Sequence, residues 1–117
     1  MKYLMIINDP PYGTERMYNG LRLATNLLDK HEGVELSVFL LGDAASGAKS
    51  GQQTPNGYYN VERMLKNIIR KGARVLVCGT CMDARGLTET DLLESAARST
   101  MDEMTALTVE SDKVLVF

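Results

Sequence analysis

Two thiols three residues apart, Cys78 and Cys81, are the only cysteines in the chain. They close the run Val75-Leu76-Val77-Cys78-Gly79-Thr80-Cys81. A short β-branched apolar run reads as a buried strand, so the thiols fall where the chain leaves a sheet and turns toward solvent. That end of a strand is where α/β proteins hold their ligands. In a reducing compartment such a pair points to redox, sulfur or metal chemistry before a structural disulfide. A zinc site needs four ligands, and beyond the two thiols the chain offers a lone His31 in a different connection, so a second subunit would have to complete it. A thioredoxin-like dithiol places its first cysteine at a helix N-terminus, whereas here Asp83, Arg85 and Gly86 intervene before the next capping residue, Thr88. The structural alternative is that Cys78 packs as a small apolar residue at the strand end.

The elements that must position these thiols alternate between strand and helix. Lys2 to Asn8 reads as a first strand, stopped by Asp9-Pro10-Pro11-Tyr12-Gly13, whose prolines forbid a helix and favour an extended turn. A helix follows from Thr14, a plausible N-cap, with Met17, Leu21, Ala24 and Leu28 at helical spacing, and it ends at His31-Glu32-Gly33. Val34 to Leu41 is a second strand. Asn60 caps a second helix with Val61, Met64, Leu65 and Ile68 on its buried stripe, ended by Lys71-Gly72. Ala73 to Cys78 is the third strand, Thr88 and Thr100 each open a short helix, and Lys113 to Phe117 is the last strand. Strands joined through helices require crossovers, so the fold class expected is α/β: a single-domain three-layer α/β/α sandwich with a mostly parallel sheet and flavodoxin-like winding. In that winding the first and third strands are neighbours, which would set the loop from Asn8 to Thr14 beside the loop from Cys78 to Gly86 in the switch-point crevice.

Composition narrows the function classes. A chain of 117 residues forms one domain, residues 1–117, and buries about two thirds of its unfolded surface. A net charge of −2 gives no concentrated basic face, so no nucleic-acid partner is expected. The apolar run Tyr3-Leu4-Met5-Ile6-Ile7 is cut short by Asn8-Asp9-Pro10, too soon for a signal peptide or a membrane span, and a cytoplasmic chain is expected. Neither a Ser/His/Asp triad nor a carboxylate pair is recognisable. The segment from Gly42 to Tyr59 is small, polar and glycine-rich, and reads as a flexible loop at the thiol edge, able to cover the thiols or to meet another subunit. Gly42, Gly47 and Lys49-Ser50 come near a phosphate-binding loop, but Ala48 interrupts the motif and no periodic helix follows. His31 suits a helix C-terminus, and the seven methionines suit core filling.

The string Val75-Leu76-Val77-Cys78-Gly79-Thr80-Cys81-Met82-Asp83-Ala84-Arg85-Gly86 resembles the signature of the DsrE/DsrF/TusD (YchN-like) family, small α/β proteins linked to sulfur relay. The similarity covers most of the chain, including Asn8-Asp9 after the first strand, the glycine at the second-strand exit, and Ser99-Thr100-Met101 before the strand ending at Phe117. It implies that Cys78, eight residues before Gly86 of the Arg85-Gly86 pair, accepts sulfane sulfur as a persulfide. Cys81 follows a subgroup pattern and could attack that persulfide, releasing sulfide and closing a disulfide. Arg85 and the amide groups around Gly79 and Thr80 are then candidates to stabilise the anionic sulfur. Asn8, Asp9 and Tyr12, on the loop expected to face the thiols, are positions for substrate contact, although Asp and Tyr beside prolines are also ordinary turn residues. The resemblance further implies a sulfurtransferase-like carrier, with sulfur donors and acceptors as partners, that self-associates as a trimer or hexamer; no cofactor and no metal are expected. The competing reading is a non-enzymatic oligomeric binding module whose cysteines are structural or hold a metal between subunits.

Overall fold

The computed structural model describes residues 1–117. Its strands are β1 (Lys2–Ile7), β2 (Glu35–Leu40), β3 (Arg74–Cys78), β4 (Ala96–Ser99) and β5 (Lys113–Val116), and its helices α1 (Arg16–Lys30), α2 (Val61–Arg70), α3 (Gly79–Ala84) and α4 (Met101–Glu110). Every strand pairing is parallel, in the order β4-β3-β2-β1-β5. The α/β class and the parallel sheet between helical layers are as the sequence leads one to expect.

The main core follows from the period of two along each strand. Met5 and Ile7, Val38 and Leu40, and Val75 and Val77 point to one face, where Met17, Leu21 and Ala24 of α1, Val61, Leu65 and Ile68 of α2, and Met82 of α3 bury them. On the opposite face Leu4, Phe39, Leu76 and Cys78 form a smaller cluster, with Met104 and Leu107 of α4 packed against it. The chain crosses from β4 at one edge of the sheet to β5 at the other through α4. A helix of ten residues is about 15 Å long, so α4 alone covers this face thinly.

Asn60 caps α2 as expected, its Oδ1 accepting from the Arg63 N–H at 3.1 Å, and Lys71-Gly72 ends that helix. Four expectations need correction. The first and third strands are not neighbours, because β2 lies between them. Each of the first four strands is added on the same side of its predecessor, so the reversal of strand order falls between β1 and β5, away from the thiols. The stretch from Ala96 to Ser99 is a fifth strand, made of residues with weak β propensity and anchored by its ladder to β3. Helix α1 starts at Arg16, with Glu15 at its N-cap; the Thr14 hydroxyl still accepts from the Arg16 N–H, at 3.4 Å. The segment after β2 is not simply a polar loop. Gly42–Ala48 forms a 3₁₀ segment whose Ala44, Ala45 and Ala48 are fully buried. Its small side chains let it lie flat on the main core.

Candidate functional site

The site is built at the carboxyl ends of β2, β3 and β4. Cys78 is both the last residue of β3 and the N-cap of α3, which begins at once with Gly79. This corrects the expectation that no helix starts before Thr88: the turn from Gly79 to Ala84 is itself helical, and Thr88 opens only the short 3₁₀ turn Glu89–Asp91. Position in the helix places Cys81 one turn after Cys78 on the same side of α3. Cys78 is buried at 6% exposure, and Cys81 is half-buried.

Environment divides the two thiols. Burial pushes the Cys78 thiol up, but the Cys81 thiol, the Thr80 hydroxyl 3.3 Å from its Sγ, and the N–H groups of Cys81 and Thr80 together outweigh burial and hold it below the ordinary thiol value. Burial also raises Cys81, and the neighbouring Cys78 raises it further; the Gly42 N–H, 3.1 Å from Cys81 Sγ, and the Arg85 charge offset this only in part. Cys78 is therefore the thiol that ionises first, and Cys81 is its proton-holding neighbour.

Two arginines serve the site differently. Arg85 donates to Asp43 Oδ1 through Nε at 3.0 Å and through a terminal nitrogen at 2.8 Å, and to the Cys81 carbonyl at 3.0 Å. It therefore ties α3 to the 3₁₀ segment that supplies the Gly42 N–H. Gly42 holds a φ of +56°, which aims that N–H at the sulfur and which a side chain would strain. The second cation, Arg98 on β4, was not singled out from the sequence. Its terminal nitrogens meet both oxygens of Asp83 at 2.8 and 3.0 Å. Its guanidinium lies so close to Gly79 that a Cβ there would sit 2.7 Å from Nε and 2.8 Å from Cζ. The Arg98 charge and Cys78 act on each other, and Asp83 is held below the usual carboxylate range by the Arg98 hydrogen bonds. The signal was present in the sequence only as a glycine after Cys78 and as an Asp83–Arg98 pair whose arginine lies on a strand that composition did not reveal.

Gly79 and Thr80 stand in the first turn of α3, beside Cys78. The residues of the first loop do not join them. The Asn8 N–H donates to the Phe117 carbonyl at 2.8 Å, and the Asn8 carbonyl faces Gly42. Asp9 accepts from the Thr14 hydroxyl at 3.3 Å and pairs with Arg16 at 3.6 Å. Tyr12 accepts from the Val61 N–H at 3.1 Å and donates to Gln52. With β2 inserted between β1 and β3, it is the 3₁₀ segment from Gly42 that lies against the thiols, in the place expected for the Asn8 to Thr14 loop. No group of three or more His, Cys, Asp and Glu side chains stands where it could hold a metal ion.

The DsrE/DsrF-like family model matches residues 1–117. The chain belongs to the DsrE/DsrF-like family. Among the relatives of this family member, an uncharacterized protein of Methanocaldococcus jannaschii is 45% identical over 117 residues, covering 100% of both chains. Protein YchN of Escherichia coli is 34% identical over 116 residues, covering 99% of this chain and 98% of YchN. The crystal structure of the Escherichia coli YchN protein superposes with a TM-score of 0.94 over 99% of this chain and 98% of that one. A protein of unknown function from Methanobacterium thermoautotrophicum, 15% identical over 99% of this chain and 98% of its own, shares the fold with a TM-score of 0.82. The DsrE/DsrF-like fold thus extends over the whole chain, with the dithiol at the carboxyl end of its third strand.

Proposed function

We propose that the protein is a sulfur carrier in which Cys78 accepts sulfane sulfur. The observation that carries this reading is the placing of Cys78 at the start of α3, its thiol lowered despite burial while Cys81 is raised. The Cys78 thiolate attacks the outer sulfur of a donor persulfide R–S–SH. The donor S–S bond breaks, R–S⁻ leaves, and Cys78 holds the transferred sulfur as Cys78–S–SH. An S–S bond is about 2 Å long, so the outer sulfur extends beyond the buried Sγ toward the edge from which an acceptor thiolate must approach. Arg98 and the first N–H groups of α3 stabilise the anionic forms, both before and after loading. Their role is electrostatic and needs no cofactor.

Cys81 supplies a second outcome from the same site. Once deprotonated, it attacks the inner sulfur of Cys78–S–SH, forms the Cys78–Cys81 disulfide and releases HS⁻. Its raised thiol favours delay, so a loaded carrier persists long enough to meet an acceptor, and Cys81 discharges it when none arrives. Donors and acceptors are small sulfane-sulfur compounds or thiol proteins. The chain also acts as a homo-oligomer, a reading supported by the thinly covered face of the sheet, where Val116 is 64% and Val109 81% exposed.

Intact mass of the reduced protein after exposure to a persulfide donor tests the assignment, with Cys78→Ser and Cys81→Ser beside the wild type. The expected result is a thiol-reversible gain of one sulfur that requires Cys78 and persists longer in Cys81→Ser. Loss of two hydrogens with no sulfur gained at any time would instead identify a dithiol redox pair. No mass change in any form would leave the cysteines structural and overturn the carrier reading.

A further inference from the structure

A groove away from the thiols runs between α1 and the start of α2. It has a volume of about 850 Å³, and its walls include Tyr18, Arg22, Tyr58, Tyr59 and Arg63. That is within the range of small-ligand sites, about 300–1,000 Å³. One wall is a fixed stack of aromatic rings. Tyr59 lies 4.3 Å from the ring centre of Tyr18 at 21°, and on Tyr12 at 5.9 Å and 23°. The stack is held by its hydroxyls: Tyr12 accepts from the Val61 N–H and donates to Gln52, and Tyr59 donates to the Thr14 carbonyl at 3.4 Å. Beside it Tyr58 is 71% exposed and has no ring partner of its own.

The charge in the groove is of one sign. No Asp or Glu is among the residues that line it. Four of the seven arginines in the chain form ion pairs with carboxylates, and of the remaining three, two are Arg22 and Arg63. Arg22 lies 5.5 Å over the Tyr18 ring and donates to the Asn19 side chain at 3.2 Å, while Arg63 makes no side-chain hydrogen bond. In a chain of net charge −2, two uncompensated guanidinium groups beside an unpaired aromatic ring form a local recognition surface, with donors for an anion and a face for a planar ring.

We propose that this groove binds a small ligand that joins an aromatic ring to a phosphate, of the nucleoside phosphate class. The ring stacks on Tyr58 beside the Tyr59–Tyr18 wall, and Arg22 and Arg63 bind the phosphate oxygens. This site is separate from the near-motif Gly42, Gly47 and Lys49-Ser50, where the 3₁₀ segment Gly42–Ala48 buries its alanines and presents no phosphate-binding loop. The inference does not depend on the sulfur-carrier reading.

The test uses the full chain and four probes: AMP, ATP, adenosine and inorganic phosphate. The chain contains no tryptophan, and four of its five tyrosines belong to the stack or the groove, so tyrosine emission reports occupancy directly, with equilibrium dialysis as a second measure. Saturable binding of a nucleotide is expected, with adenosine and phosphate each at least about tenfold weaker, since either half alone forfeits the other half's contacts. Arg63→Gln and Tyr58→Ala should each weaken nucleotide binding by about tenfold, with unchanged circular dichroism and an unchanged Cys78 alkylation rate. Absence of saturable binding of both nucleotides would overturn the proposal. So would equal affinity for phosphate alone, or binding indifferent to both substitutions. Failure of nucleotide binding together with dissociation of an oligomer in Arg63→Gln would assign the groove to contact with a second copy of the chain and equally overturn it.

Discussion

At the scale of single residues, the small glycine at position 79 is tied to the chemistry of its neighbour. The Arg98 guanidinium occupies the space a Cβ at Gly79 would need, and Asp83 fixes it there with two hydrogen bonds. A backbone atom cannot yield as a flexible side chain can, so Gly79→Ala should displace Arg98 while leaving Cys78 itself intact. Loss of a cation near a thiolate raises the thiol's pKa. Both Gly79→Ala and Arg98→Met should therefore slow iodoacetamide labelling of Cys78 at neutral pH and move the rise of its pH profile to higher pH. In the wild type that rise should come below the ordinary thiol value for Cys78 and above it for Cys81, read by peptide mapping of the alkylated protein. Unchanged Cys78 profiles in both variants would reduce Arg98 to an anchor for Asp83.

At the scale of elements, the sequence announces what is periodic or capped and hides what is short. The runs feeding β1, β2 and β3 and the stripes of α1 and α2 are long enough for burial to impose a period, and Asn60 marks its helix by a cap that forms as expected. By contrast β4 has four residues, only Ser99 of them buried, and α3 has six beginning with a glycine. Tertiary pairing, not local preference, makes both. Those are the two elements that carry Arg98 and the first turn beside Cys78, so the thiols were legible and half of their surroundings was not. The strand order was hidden for a related reason: a crossover helix requires parallel strands but does not dictate which strand lies alongside which. The connection from β2 to α2 shows how a polar segment is made to hold. Glu62, buried on α2, accepts from the N–H groups of Gly51 and Gln52 at 3.0 and 2.8 Å and pairs with Lys66 at 2.9 Å. Burial raises its carboxyl, but Lys66 and those N–H groups outweigh burial and leave it below its ordinary 4.5. A carboxyl lowered on folding contributes stability above its unfolded value, and the contribution is lost as pH falls through the folded one. Glu62→Gln should therefore be less stable than wild type in urea at about pH 7, and the gap should narrow on acidification to about pH 3. A gap independent of pH would mean that the hydrogen bonds, and not the charge, hold this connection.

At the scale of the whole molecule, the two faces of the sheet are covered unequally. On one face α1, α2, α3 and the 3₁₀ segment enclose a continuous core; on the other, α4 crosses alone and contains no buried residue. Strand β5 pairs with β1 in a register that sets Val114 beside Leu4 and Val116 beside Ile6, so both valines share the thinly covered face, and Val116 remains 64% exposed. Cys78 belongs to the cluster beneath α4 on that same face. Apolar area left open on the face that also holds the reactive thiol, with two strands between them, is the feature that links assembly to chemistry, because a second copy seated over that face would remove water from it and narrow the routes to Cys78. Val116→Asp places a charge at the exposed edge of this surface without touching the main core, and surface changes of this kind alter fold stability by about half a kcal/mol or less. In sedimentation velocity the wild type should run as an oligomer and Val116→Asp as a smaller species, while circular dichroism stays the same. If assembly shields the site, the dissociated variant should also label faster at Cys78 at equal thiol ionisation, which compares rates on the plateau of the pH profile. A wild type that sediments as a monomer at every concentration would remove self-association and leave α4 as the sole cover of that face.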